Sequence, residues 1–382
     1  MSKTNLSIVT ITLSNGGAER VISLLLKKLV KDFNVTLVLF YDVVDYYIPP
    51  EVNKIVLLDR QHQSSSILVK VKDMFSLISR YGRTLKNEDI DISMSFLTLP
   101  NIINSIMSMR YKKVKTIISE RCYPSLMYKY NKFSMFLVKI AFPLFYNRND
   151  MLFSNSVHIN KDLKDNFGVK LPMHVVYNPI EMDDKMKDPT TIETSDHFNI
   201  INVGTLYAPK NQKLLLETIA HLNDESFRLT LLGQGPGEKD LKDYATQSGI
   251  MKFVDFKGRV TNVKDHLLES DCFVLSSNNE GFPNVLLEAM SAGLPAISTN
   301  CMSGPLELLN ENEPIDIEAG QFTKAKYGLM INVGDLEGLS QALIYYKNHP
   351  EVRSHYSKMS YQRAKHYDLP NIYKQVQELI IS

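Results

Sequence analysis

The strongest constraint on this chain is a pattern that runs twice. Short apolar stretches alternate with helical ones, the series breaks once, and then it restarts. In the first block, residues 6–13 read as a strand, Gly16-Gly17 as a turn and 18–31 as a helix; further strands are expected at 34–41, 91–97, 114–119, 151–154 and 174–177. Residues 178–197 (NPIEMDDKMKDPTTIETSDH) are polar, hold two prolines and have no period. The second block places strands at 200–204, 228–232, 254–257, 272–276 and 295–299. Its helices fall at 212–222, 284–292 and 336–346 and from 351 onward, with Pro370 marking a break. Apolar strands alternating with helices predict doubly wound parallel sheets. The expected organisation is an N-terminal domain over 1–178, a linker over 179–197 and a C-terminal domain over 198–369. Two such sheets imply a cleft, with ligands beyond the carboxyl ends of the strands. The glycine turns at Gly16-Gly17, Gly204 and 233–237 all fall between a strand and a helix, where that cleft is expected.

At 382 residues the chain suits two domains. Its 43 Lys and Arg nearly balance 42 Asp and Glu, but unevenly along the sequence. Residues 1–178 carry 24 basic and 14 acidic side chains, a net of +10; the remainder carries 19 and 28, a net of −9. Two surfaces with different partners are implied. Three distant cysteines exclude a disulfide framework and fit a reducing compartment. Stretch 6–13 is short, holds two threonines and lacks a small-residue cleavage site, so it does not read as a secretory signal. No 18-residue apolar run suggests a membrane span.

The richest segment chemically is 276–292, SSNNEGFPNVLLEAMSA. A strand ends at Ser276-Ser277, a loop holds Glu280-Gly281-Phe282-Pro283, and a helix opens near Asn284 with Glu288 one turn in. Backbone N–H groups at a helix start, with glycine allowing close approach, suit a phosphate or diphosphate. Carboxylates beside a phosphate need other partners, and hydroxyl groups supply them. One glutamate on a sugar and one on a ribose is the reading this spacing invites; two solvated surface glutamates are the bland alternative.

The segment resembles the E-x7-E signature of retaining GT-B glycosyltransferases, in particular glycosyltransferase family 4 of bacterial surface polysaccharide and lipid-linked glycan assembly. The resemblance extends over most of the chain. Asn202-Val203-Gly204-Thr205-Leu206 with Lys210 resembles the family's donor-phosphate loop, and Leu232-Gly233-Gln234-Gly235-Pro236 its second glycine turn. Phe256-Lys257-Gly258-Arg259-Val260 resembles the segment along the nucleotide base. Ser303-Gly304-Pro305-Leu306-Glu307-Leu308 resembles a further segment of bacterial members, and Asn15-Gly16-Gly17-Ala18-Glu19-Arg20 the N-terminal loop facing the diphosphate. What this implies is a GT-B fold, α/β, with two Rossmann-like doubly wound domains facing across a cleft and the final helix, 370–382, packed back on the N-terminal domain.

The resemblance also implies roles. Glu280 would contact the transferred sugar near its C3 and C4 hydroxyls, and the amides of Gly281 and Phe282 would approach sugar and diphosphate, with Pro283 and Asn284 completing that loop. Glu288 would hold the ribose, Lys210 would neutralise the leaving diphosphate, and Val260 would present its backbone to the base. Gly17, beside Gly16, would let the N-terminal loop close on the phosphates. The expected donor is a nucleotide sugar, UDP-linked, used as a co-substrate with no metal or other cofactor, and transfer would be retaining. Fixed cations and helix amides stabilise a leaving diphosphate where its charge grows.

Two positions depart from the family pattern. Thr205 stands where a donor-loop arginine is common, leaving Arg20 or Arg259 to supply that contact. Arg121, in Ile118-Ser119-Glu120-Arg121-Cys122, stands where an active-site histidine is common. An arginine is no general base at neutral pH, so Arg121 would bind phosphate or acceptor, and Glu120 is the nearby ionisable group. Asp89-Ile90-Asp91 is formally a DxD, but lies far in sequence from the phosphate loops.

Residues 106–148 hold nine Lys and Arg, nine Phe and Tyr, and one acid, Glu120. Cations interleaved with rings describe a surface for anionic headgroups; a core helix with a basic edge is the alternative. With the resemblance, the expected acceptor is a polyprenyl-diphosphate-linked glycan at the cytoplasmic face of the inner membrane, with no nucleic acid partner. The competing readings are a nucleotide-sugar epimerase or phosphorylase of the same fold, and a catalytically silent GT-B partner protein.

Overall fold

A computed structural model describes residues 3–14, 16–58, 67–129, 131–183, 185–187 and 196–382. Two compact units emerge: Met1–Glu181 together with Leu369–Ser382, and Met182–Asp368. The chain thus passes between units at Glu181–Met182 and Asp368–Leu369. Of the expected linker, residues 184 and 188–195 lie outside the described residues, as does Asn15.

Unit 1 holds seven strands: β1 Asn5–Thr10, β2 Asn34–Tyr41, β3 Asn53–Leu58, β4 Ile92–Phe96, β5 Lys115–Glu120, β6 Met151–Ser154 and β7 Met173–Val175. They lie in the order β3-β2-β1-β4-β5-β6-β7 and every pairing is parallel. Helices cover both faces, so β1, β2, β4 and β5 are almost wholly buried and read as continuous apolar runs. One apolar cluster gathers Val9, Val38, Phe40, Tyr81 and Ile103; another gathers Ile118, Phe142, Tyr146, Leu152 and Phe167.

The last helix, Leu369–Ile381, belongs to this unit. It buries Leu369, Ile372, Val376, Leu379 and Ile380. Leu369 N donates to Ile180 O at 2.8 Å, Gln377 Nε2 to Asp32 at 3.0 Å and Lys115 Nζ to Ile380 O at 3.0 Å. Pro370 sits in its first turn, where a missing N–H costs nothing.

Unit 2 holds β8 Phe198–Val203, β9 Phe227–Leu232, β10 Val254–Gly258, β11 Cys272–Leu275, β12 Ala296–Thr299, β13 Phe322–Lys324 and β14 Leu329–Ile331. Their order is β10-β9-β8-β11-β12-β14-β13, parallel except for the hairpin β13–β14. In both sheets the strand order reverses beside the first strand, between β1 and β4 and between β8 and β11. Such switch points open a crevice at the carboxyl ends, where ligands bind.

Asp89 and Asp91 lie at the opposite, amino ends of the unit 1 strands. Asp91 Oδ2 accepts from Asn5 N at 2.9 Å, which ties β1 to the start of β4. That carboxylate serves the amino end of the sheet's central pair. Among the described residues no three His, Cys, Asp or Glu side chains gather as metal ligands would.

Candidate functional site

In unit 2 the turns after β8, β9 and β10 brace one another. Gly204 N donates to Leu232 O at 2.9 Å, Gly233 N to Gly258 O at 2.8 Å, Leu206 N to Gln234 O at 3.1 Å and Gly237 N to Leu206 O at 2.9 Å. Two glycines make this approach possible. Gly233 has φ +134°, and a Cβ there would fall 2.0 Å from Gly204 O; one on Gly235 would fall 2.3 Å from Leu206 O. The second glycine turn therefore supports the first from behind. Gln212 Nε2 donates to Thr205 O at 3.1 Å, fixing the loop while the Thr205 side faces solvent.

The loops on either side of the switch point, 204–211 after β8 and 276–283 after β11, are joined. Asn278 N donates to Pro209 O at 2.8 Å, and Ser276 Oγ to Lys210 O at 2.9 Å. Between them Lys210 Nζ meets Glu280 Oε1 at 2.6 Å. The lysine side chain is 23% exposed and the glutamate 8%. Burial works against the ammonium, but the Glu280 carboxylate outweighs it by charge and hydrogen bond and holds Lys210 above the ordinary lysine range. Two residues seventy positions apart thus share one ion pair at the crevice.

The Glu280 loop is fastened from its other side too. Glu280 N donates to Met302 O at 2.7 Å, Ser303 N to Glu280 O at 2.8 Å, Gly304 N to Gly281 O at 3.1 Å and Ser303 Oγ to Gly281 O at 2.7 Å. A side chain at Gly304 would meet Pro283 Cδ at 2.6 Å and Phe282 Cα at 2.9 Å. Phe282 is buried, its ring 5.7 Å from Tyr367, so this residue offers backbone and not its ring. The helix Asn284–Ser291 starts directly after Pro283 with no side-chain cap. The Leu286 and Leu287 N–H groups both turn back to Pro283 O, at 3.0 and 3.2 Å, and the positive end of the helix dipole lies at this loop. Glu288, half-buried, lies just past the first turn. Beyond β10, Gly258 (φ +67°) turns the chain; Arg259 is exposed and Val260 half-buried.

Unit 1 presents its own groups at its carboxyl ends. Gly16 opens the helix Gly17–Asp32; Arg20 N donates to Gly16 O at 3.1 Å. Burial lowers the Arg20 pKa against the opposing pull of Tyr46 and Glu181. At the end of β5, Glu120 is buried. Tyr146 Oη donates to its Oε2 at 2.8 Å, and Arg121 N to its Oε1 at 3.1 Å. Burial raises its pKa, against those hydrogen bonds. Arg121 is 6% exposed, its guanidinium centred 5.1 Å from the Phe96 ring and 5.0 Å from that of Phe153. One nitrogen donates to Asn178 Oδ1 at 2.9 Å, while Nε is buried without a partner. Burial pulls its pKa down to about 9, although Glu120 opposes this.

A different surface appears on the helix Lys132–Phe145. It buries only Val138 and Phe142. Phe133 (70% exposed), Phe136, Leu137, Ile140 and Leu144 face outward, beside exposed Lys132 and Lys139. No described helix is long and apolar enough to cross a membrane.

Sequence reasoning brought together Lys210, Glu280, Gly281, Phe282, Pro283, Asn284 and Glu288 with the loops of Gly204 and Gly233. It gave no role to Gln212, Ser276, Ser277 or Ser303, although the three serines stand inside segments it singled out.

Comparison with known proteins shows the family and the fold. Residues 184–363 match the family described as glycosyl transferases group 1, and residues 15–184 match glycosyltransferase family 4. The chain is similar to the Campylobacter jejuni N-acetylgalactosamine-N,N'-diacetylbacillosaminyl-diphospho-undecaprenol 4-alpha-N-acetylgalactosaminyltransferase, 29% identical over 365 residues and 95% of each chain. A second C. jejuni protein, a GalNAc-alpha-(1->4)-GalNAc-alpha-(1->3)-diNAcBac-PP-undecaprenol alpha-1,4-N-acetyl-D-galactosaminyltransferase, is 26% identical over 98% of each. Among solved structures, Anabaena HepE in complex with UDP and glucose superposes with TM-score 0.76 at 16% identity over 99% of each chain. The lipopolysaccharide outer core galactosyltransferase WaaB gives 0.72 at 18% over 99% of each. With two family matches running from residue 15 to residue 363 and a doubly wound sheet in each unit, the chain belongs to the GT-B glycosyltransferases of family 4.

Proposed function

We propose that this glycosyltransferase takes a hexose or N-acetylhexosamine from a UDP-sugar and adds it, with retention and without a metal ion, to a polyprenyl-diphosphate-linked glycan. The observation that carries the donor half is the Lys210–Glu280 pair beside the start of the helix Asn284–Ser291. It supplies a cation and backbone donors for a diphosphate, a carboxylate for sugar hydroxyls and, in Glu288, a second for a ribose. The cation and the helix amides would stabilise the leaving diphosphate as its charge grows. In a retaining front-face displacement the departing phosphate itself helps to deprotonate the acceptor hydroxyl. Arg259 and Val260, beyond β10, are the residues assigned to the nucleotide end, and Gly204, Thr205 and Gly233 complete the proposed phosphate surroundings within unit 2.

The acceptor half rests on unit 1. Arg121 is a buried cation whose Nε–H has no acceptor, a donor that an acceptor's phosphate would satisfy, and Glu120 beside it is the ionisable neighbour. The outward apolar face of Lys132–Phe145 with its flanking lysines suits the cytoplasmic face of an anionic membrane, where a polyprenyl carrier resides. The names of the two C. jejuni relatives, which specify undecaprenol-linked glycans, support the same class. HepE, solved with UDP, makes uridine the first nucleotide to try.

The test incubates the full chain with a panel of UDP-sugars and undecaprenyl-diphosphate glycans, with and without EDTA. A new axial glycosidic linkage from an axial donor, formed at equal rate in EDTA, is expected. Inversion, loss of turnover in EDTA, or UDP-sugar consumption without an acceptor would each overturn a named part.

A further inference from the structure

Two adjacent serines at the end of β11 each hold one partner of the Lys210–Glu280 pair. Ser276 Oγ donates to the Lys210 carbonyl at 2.9 Å, and Ser277 Oγ to Glu280 Oε1 at 2.6 Å. Both serines are fully buried. Ser277 is itself anchored, its carbonyl accepting from Thr299 Oγ1 at 2.6 Å at the end of β12.

The consequence falls on Glu280. Lys210 Nζ and Ser277 Oγ converge on the same oxygen, Oε1, each at 2.6 Å. Among the described residues Oε2 accepts no hydrogen bond. An ionised carboxylate only accepts, so the serine hydroxyl is the donor. One oxygen is thereby saturated and the carboxylate plane fixed.

We infer that Ser277 is a positioning residue for sugar discrimination: it locks Glu280 so that one oxygen, Oε2, meets the transferred sugar. Ser276 has the separate task of setting Lys210 for the diphosphate. This rests on the donor site proposed above. A fixed single acceptor engages one hydroxyl in one direction, so donors that differ only in the configuration of that hydroxyl are told apart. A site built around a specific hydroxyl rejects the analogue that fails to present it. A Glu280 free to turn offers either oxygen and loses that selectivity.

The experiment titrates UDP, UDP-glucose, UDP-galactose, UDP-GlcNAc and UDP-GalNAc calorimetrically into the full chain. It compares wild type with Ser277→Ala, Ser277→Cys and Ser276→Ala. In Ser277→Ala, affinity for UDP should stay within about twofold while the preference between epimeric sugars falls by about tenfold. Ser277→Cys keeps the volume with a weaker donor and reads the same contrast if the alanine variant does not fold. Ser276→Ala should weaken UDP and all UDP-sugars by one common factor, leaving the preference intact. Ser277 variants that keep the full preference, or weaken UDP and sugars alike, overturn the inference and leave the donor site standing. A wild-type chain that binds none of the five removes the donor site and the inference together.

Discussion

Lys210 and Glu280 stand on the two loops flanking the switch point of the second sheet, and their side chains close to 2.6 Å. The pair joins a group suited to phosphate with one suited to sugar. It also ties the two loops through side chains that are mostly out of water. Breaking one half of such a pair leaves the other half buried and unpaired, which costs more than losing a surface ion pair.

Glu280→Gln is therefore expected to destabilise unit 2 by about 2 kcal/mol at neutral pH. Glu280 raises the Lys210 pKa, so its contribution is fully present below the unfolded lysine value, about 10.4, and is lost as pH rises through the higher folded value. The gap in stability between wild type and Glu280→Gln should be constant up to the ordinary lysine range and narrow as pH rises beyond it. Urea denaturation at pH 7, 9 and 11 checks this; a gap that widens with alkalinity contradicts it.

Gly233→Ala places a methyl group 2.0 Å from Gly204 O at φ +134°. Neither backbone can yield without opening both turns. A loss of about 3 kcal/mol or more is expected, with nucleotide binding lost as well. Gly249→Ala is the control: φ is +70° there, but nothing lies within 4 Å of the added carbon. It should cost only about 1 kcal/mol and spare binding. Thermal melts of the two variants separate these effects.

Arg121→Met replaces a buried cation by an apolar side chain of similar reach between the Phe96 and Phe153 rings. Burial lowers the Arg121 pKa, so the charged form opposes folding at neutral pH. Removing it should raise stability by about 1–2 kcal/mol and abolish transfer to the lipid-linked acceptor. In wild type, stability linked to this group should rise with pH between about 9 and the unfolded arginine value. A destabilised but active Arg121→Met variant would make the arginine a purely structural residue.

Phe136 and Ile140 lie four positions apart on the outward face of Lys132–Phe145. The double substitution Phe136→Ser and Ile140→Ser should leave the melting temperature within about 2 °C, since exposed side chains contribute little to folding. It should reduce flotation with phosphatidylglycerol vesicles by about tenfold or more. Wild-type protein that does not float with such vesicles contradicts a membrane surface.

Much of this was legible in the sequence because the phosphate-type loops are made by backbone, and backbone demands glycine. Gly233 and Gly235 stand where turns must pack closely, so pattern and structure coincide there. The strands 34–41 and 151–154 were found at their observed limits because buried parallel strands are continuous apolar runs. Strand β3 was missed, being a half-exposed edge strand, and so were both strands of the hairpin, β13 and β14, each only three residues long. The orientation of Lys132–Phe145 was also hidden, because a helix with apolar residues nearly all round does not show which side faces water. Ser276 and Ser277 were read as the end of a strand, since a serine's hydrogen bond leaves no periodic trace. Arg121 was legible as an unusual residue, but its ring sandwich depends on Phe96 and Phe153 from two other strands.

The most direct measurement is a thermal-shift panel of UDP and UDP-sugars on wild type, Lys210→Ala and Glu288→Ala, each with and without EDTA. Ligand at a hundredfold excess over its Kd adds about 2.7 kcal/mol to the native state, a readily measured shift. A donor site at the unit 2 switch point predicts a wild-type shift unchanged by EDTA and reduced in both variants. No shift with any nucleotide, or equal shifts in all three proteins, would place the nucleotide elsewhere and contradict the site.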